Sequence, residues 1–157
     1  MYNKVLVPLD GSKLAECTLP HIKNMAKERS LGEVILLDVV EMEIPLAYTD
    51  AEHMGIVQDL NLQALWEEKI KKAEIYLADM QAQLRAEGIK AETVLIKGGR
   101  IAPSIIDFAK DNSVDLVVIA THGYTGLKKM LLGSVALKVL HESPVPVLLI
   151  RPESCRA

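Results

Sequence analysis

The chain has 157 residues, 50% hydrophobic and 25% charged, which suits one domain around one sizeable core. A net charge of -3 and an aromatic content of 4% exclude the basic face and stacking rings of a nucleic-acid binder. The apolar runs are too short to span a bilayer and no basic leader precedes the first strand, so no membrane association and a cytoplasmic location are expected.

The first strand is expected at Lys4–Leu9, a short apolar run that ends at Asp10-Gly11-Ser12. Ser12 is placed to cap a helix, and apolar residues recur at helical spacing from Leu14 through Leu19 and Ile22 to Ala26. Gly32 precedes a second run, Val34–Val40, apolar except for Asp38. The segment Glu41–Asp59 has no clear period, contains Pro45 and Gly55, and reads as a long excursion. A longer helix is expected over Leu60–Arg85, with one face at Leu62, Leu65, Lys69, Ala73, Tyr76, Met80 and Leu84. Lys69 can lay its stem over the core and keep its ammonium in water. Gly88 fits a C-terminal stop.

The third strand, Glu92–Lys97, leads through Gly98-Gly99 into a helix with Pro103 in its first turn and Ile101, Ala102, Ile105, Ile106 and Ala109 inward. The fourth strand, Leu116–Ala120, is apolar without alternation, as a strand buried on both faces is. A polar loop with glycines, Thr121–Gly133, precedes a helix from Ser134 to Glu142, which Ser143-Pro144 ends. The fifth strand is expected at Val145–Ile150. Strands alternating with helices define an α/β class: one domain over 1–157, a single doubly wound five-stranded parallel sheet with helices on both faces. Cys17 and Cys155 have no metal spacing around them and are expected as free thiols.

In such sheets a ligand sits beyond the carboxyl ends of the strands, where the winding reverses. Two strand ends stand out, Pro8-Leu9-Asp10-Gly11-Ser12 and the loop from Ala120 to Ser134. If the two share one ligand, the first and fourth strands are neighbours. Gly123, Gly126 and Gly133 let backbone N–H groups approach oxygens, and Ser134 opens a helix whose positive end suits phosphate. The same glycines also suit plain turns. Lys128 and Lys129 add positive charge. Asp10 suits an adenine amino group, a ribose hydroxyl or a metal, and equally a turn in which it accepts from the N–H of Ser12. His21, His53, His122 and His141 have no ligand spacing, Glu41 and Glu43 read as a solvated loop, and no P-loop or GxGxxG fingerprint is present.

The opening Val5-Leu6-Val7-Pro8-Leu9-Asp10-Gly11-Ser12, the segment Val117–Gly123, the stretch Leu131-Leu132-Gly133-Ser134-Val135 and the closing Pro144–Arg151 together resemble the universal stress proteins. The resemblance covers nearly the whole chain. Its ATP-binding members carry Gly, two residues, Gly, nine residues, Gly, then Ser or Thr, met here by Gly123, Gly133 and Ser134, with Ala120 in place of the first glycine. The resemblance implies a Rossmann-like, adenine nucleotide alpha hydrolase-like sheet of strand order 3-2-1-4-5. It implies an ATP-binding stress-response regulator, with AMP or ADP as further ligands and Mg2+ or Mn2+ on the phosphates. Pro8, Leu9, Asp10 and Val39 would border adenine and ribose. Ile119, Ala120, His122 and Gly123 would line the ribose and first phosphate, and Gly133, Ser134, Val135 and Ala136 would hold the remaining phosphates. Arg100, after Gly98-Gly99, is a further candidate for the phosphates. No catalytic residue is evident, so a dedicated enzyme is not expected. The rivals are a slow ATP hydrolase or phosphoryl or adenylyl transferase, and an interaction module without nucleotide.

Pro146 cannot donate to a central ladder, so the apolar fifth strand is expected at an edge, where it invites pairing. A homodimer through Val145–Ile150, as in the family, and an unidentified downstream protein are the expected partners.

Overall fold

The computed structural model describes residues 1–42, 56–122 and 132–151, with the backbone alone described at 56–60. Glu43, Pro45, His53, Gly55, Gly123, Gly126, Lys128, Lys129 and Cys155 lie outside the described residues. In chain order come β1 (Tyr2–Pro8), a 3-10 turn (Ala15–Thr18), α1 (Leu19–Lys27), β2 (Leu31–Val40), α2 (Ile56–Ala86) and β3 (Ala91–Lys97). They are followed by α3 (Ile101–Asp111), β4 (Leu116–Ala120), α4 (Ser134–Glu142) and β5 (Val147–Ile150).

The strands form one all-parallel sheet in the order β3-β2-β1-β4-β5. The expected contact of the first and fourth strands is present: Val5 pairs with Leu116 and Leu6 with Val117. Because successive strand residues point to opposite faces, each central strand feeds two cores. Val5, Val7, Val34, Leu36 and Val118 pack on one face with Leu19 and Ile22 of α1 and Leu77, Met80 and Leu84 of α2. Leu6, Ile35, Leu37, Val117 and Ile119 pack on the other with Ala102, Ile105 and Ala109 of α3 and Val139 of α4. This is why the strands read as unbroken apolar runs. Burying each such Leu, Ile or Val contributes roughly 1.5–3 kcal/mol.

Four local differences from the sequence expectation have physical causes. The first helix does not run on from Ser12. The Ser12 hydroxyl accepts from the N–H of Ala15 at 3.1 Å, but the N-cap of the 3-10 turn is Leu14, and Pro20 has no N–H to continue an α-helix back to Glu16. β2 starts at Leu31 and contains Gly32, because an added Cβ there would run into the carbonyl oxygen of Asn3 on β1. α2 begins at Ile56 and takes in the end of the expected excursion. β5 begins at Val147, not Val145: the hydroxyl of Ser143 donates to the Val145 carbonyl (2.8 Å) and accepts from its N–H (3.3 Å), diverting Val145 into a turn. Cys17, expected as a free thiol, is disulfide-bonded. Gly88 has a φ of 78° and ends α2 as expected, with the N–H of Ile89 reaching back to the Leu84 carbonyl at 3.1 Å.

Candidate functional site

A cleft of about 660 Å³ opens over the carboxyl ends of β2, β1 and β4, where the winding reverses between β1 and β4. Of the residues assigned by resemblance, Pro8, Leu9 and Asp10 line it from the end of β1 and Val39 from β2. Ile119, Ala120 and His122 line it from β4 and the following turn, and Gly133, Ser134, Val135 and Ala136 from the start of α4. Gly123 falls outside the described residues. Arg100 is not among the lining residues; it is the N-cap of α3, and its neighbour Ile101 lines the cleft instead.

The α4 end of the cleft is a set of hydrogen-bond donors. Gly133 is the N-cap, and the first helical bond runs from the N–H of Leu137 to its carbonyl at 2.9 Å. The N–H groups of Ser134, Val135 and Ala136 belong to the first turn, which has no intrahelical acceptors, and the positive end of the helix adds to them. Gly133 is required here by close approach, its φ being an ordinary -69°. Its N–H donates to the Thr121 carbonyl at 2.6 Å, and an added Cβ would lie 3.1 Å from the same oxygen. That contact seats α4 against the end of β4.

Ala120 stands where the family motif has glycine. It is a buried, extended residue of β4, paired with Ile150 and without positive φ, so the backbone makes no demand for glycine there. Thr121 is buried behind it, its hydroxyl 3.0 Å from Nδ1 of His122.

The opposite end of the cleft is acidic. Asp10 accepts from the N–H of Ser12 at 2.9 Å, so the turn reading of its sequence is present. It uses one oxygen, and the residue is exposed at the cleft wall, so a second role remains open to it. Beside it lies Asp38, a lining residue that sequence reasoning missed as a site residue. It is 8% exposed, and burial first, the Asp10 carboxylate second, push its carboxyl up from 3.8 to about 6. The N–H of Val39 and the Lys69 ammonium oppose that shift only in part.

α2 supplies the wall that the sequence did not place. Lys69, Ala73 and Tyr76 recur at helical spacing and line the cleft. The Lys69 ammonium donates to the Glu41 carbonyl at 3.3 Å. The Tyr76 hydroxyl donates to Glu16 at 3.3 Å; burial first, then the Glu16 charge, hold its proton on well above the ordinary phenol range. Glu41, read as a loop residue, accepts from the N–H of Ile101 at 3.2 Å and so ties β2 to the start of α3. Among the described residues no group of three or more His, Cys, Asp and Glu can hold a metal, and no helix is long and apolar enough to cross a membrane.

A parallel doubly wound sheet with a cleft at its switch point, one end built of helix N–H groups and the other of carboxylates, defines a Rossmann-like α/β domain. The Universal stress protein family model matches residues 1–151, and the chain belongs to that family. It is 33% identical to universal stress protein YxiE of Bacillus subtilis, over 96% of this chain and 100% of that one. It is 32% identical to universal stress protein MJ0577 of Methanocaldococcus jannaschii, over 96% of each. The solved structure of MJ0577 superposes with a TM-score of 0.80 at 31% identity, again over 96% of each chain. A universal stress protein of Archaeoglobus fulgidus, solved in complex with dAMP, has a TM-score of 0.63 at 22% identity, over 95% of this chain and 98% of that one.

Proposed function

We propose that this chain binds an adenine nucleotide, ATP before AMP or ADP, and acts as a nucleotide-dependent regulator of the stress response. The observation that carries the reading is the polarity of the cleft. Phosphates go to the N–H groups of Ser134, Val135 and Ala136 and the Ser134 hydroxyl, and the nucleoside goes toward Asp10 and the apolar wall of Val39 and Ile119. The dAMP complex of the Archaeoglobus relative supports an adenine nucleotide as the ligand class. Mg2+ or Mn2+ would accompany the phosphates on their own oxygens and on water, because the carboxylates of the cleft, Asp10 and Asp38, lie at its nucleoside end. Calorimetry with ATP, ADP and AMP tests the reading. Micromolar binding, tightest for ATP, is expected, and no heat with any of the three defeats it.

The regulator acts as a homodimer through β5. Among the described residues this strand is an edge, paired with β4 alone, and it presents Leu148 at 38% exposure. Antiparallel pairing with a second copy about a two-fold axis covers that edge.

A further inference from the structure

Asp38 is buried at the nucleoside end of the cleft, and its fold neighbours leave it short of donors. It follows Val34 and Leu36 on the α1/α2 face of β2, a face otherwise apolar. Two groups of α2 lie within electrostatic reach of it: Tyr76, which donates to Glu16, and Lys69, which donates to the Glu41 carbonyl. Asp10, from the turn after β1, faces it as a like charge. Among the described residues only the backbone N–H of the adjacent Val39 favours its charged form by hydrogen bonding. A buried carboxylate in this state is costly, and a donor brought by a ligand relieves the cost.

The topology says which part of a ligand arrives there. The start of α4 lies at the end of β4, and β2 is two strands away across β1. Two strand spacings are about 10 Å. A nucleotide with its phosphates at Ser134 therefore passes Asp10 with its sugar and reaches β2 with its nucleoside. We propose that Asp38 determines specificity at this end, accepting a hydrogen bond from an N–H or O–H donor of the nucleoside. The donor is the exocyclic amino group of the base or a ribose hydroxyl. The inference rests on the nucleotide-binding reading and assigns a residue that the family motif leaves out.

The test is calorimetry on the wild type, Asp38→Asn and Asp38→Val. The ligands are ATP, inosine triphosphate (an oxygen in place of the 6-amino group) and the 2′- and 3′-deoxy forms of ATP. Circular dichroism and a thermal melt establish that each variant is folded. The wild type is expected to bind one analogue about ten- to a hundredfold more weakly than ATP, the range for a hydrogen bond to a charged group. A weak inosine arm identifies the base as donor, and a weak deoxy arm identifies the sugar. Asp38→Val is expected to lose a similar factor for ATP and to bind that analogue as well as it binds ATP. The wild-type affinity is also expected to fall as pH drops through about 6, where Asp38 takes up its proton, more steeply than that of Asp38→Asn. Titration of the phosphates is common to both proteins and cancels in the comparison. A wild type that binds ATP, with both variants matching it in affinity and in discrimination among analogues, overturns the role of Asp38 and leaves nucleotide binding standing. A wild type that binds none of the nucleotides overturns both.

Discussion

Replacing Asp38 by Asn is expected to stabilise the ligand-free protein at neutral pH. Asp38 is 8% exposed, and its carboxyl is pushed from 3.8 up to about 6 by burial and then by Asp10. In the unfolded chain it returns to an ordinary carboxyl near 3.9. A rise of about two units, at about 1.4 kcal/mol each, gives about 3 kcal/mol by which the ionised group disfavours the fold. The sign follows from proton counting. Between about pH 4 and 6 the folded chain holds the proton and the unfolded chain has lost it, so stability falls as pH rises through that window and stays lower above it. Asn removes the charge and leaves a buried amide, whose desolvation takes back part of the gain. A net gain of about 1–2 kcal/mol, or roughly 3–6 °C in Tm for a chain of this length, is expected. Thermal and urea denaturation at pH 7.5 and pH 4 read it directly. The gain belongs at the higher pH and shrinks toward zero at the lower. A variant no more stable than wild type at pH 7.5, or one with the same gain at both pH values, refutes the reasoning.

Three further substitutions test the frame around the cleft. Gly133→Ala sets a Cβ 3.1 Å from the Thr121 carbonyl, and is expected to cost about 1 kcal/mol in urea denaturation and to weaken ATP binding severalfold as the first turn of α4 shifts. Wild-type affinity in that variant would show that the turn does not hold phosphate. Gly32→Ala drives a Cβ into the Asn3 carbonyl between two paired strands, and a loss of about 3 kcal/mol is expected by the same assay, there being no flexible side chain to give way. Leu148→Glu charges the edge of β5 and is expected to convert a dimer to a monomer in sedimentation velocity without changing the circular dichroism; a variant that stays dimeric places the interface elsewhere.

The frame was legible because it follows from residue type and short-range rules. Val34–Val40 and Leu116–Ala120 are apolar without alternation, and that alone places them inside a parallel sheet with both faces covered. Gly88 marks the end of α2 by the left-handed φ it adopts, whereas Ser12, expected as a helix cap, accepts from Ala15 ahead of a turn capped by Leu14. The adjacency of β1 and β4 follows from the two strand ends sharing one cleft. The contacts that shape the cleft's far wall were harder to see, because they join residues far apart in the chain. Tyr76 meets Glu16 across 60 positions, and Glu41 meets the N–H of Ile101 across 60 more.

Asp38 carries a sequence signal that local rules leave ambiguous. A single carboxylate inside an otherwise apolar strand has two ways to be tolerated: it is buried with a partner, or it sits where the strand opens into a site. Two residues before the end of the expected run, it is near enough to the carboxyl end for the second. Local rules cannot choose between the two, since the choice depends on whether α2 offers a donor. Here Lys69 and Tyr76 pass within electrostatic reach of Asp38 and donate to the Glu41 carbonyl and to Glu16. The fold thus leaves an acceptor in low dielectric facing a cavity, which raises the energy of the ligand-free state and lowers that of any state that brings a donor. Stability and recognition are coupled through one residue, and the substitution that strengthens the empty fold is the one expected to weaken the filled one.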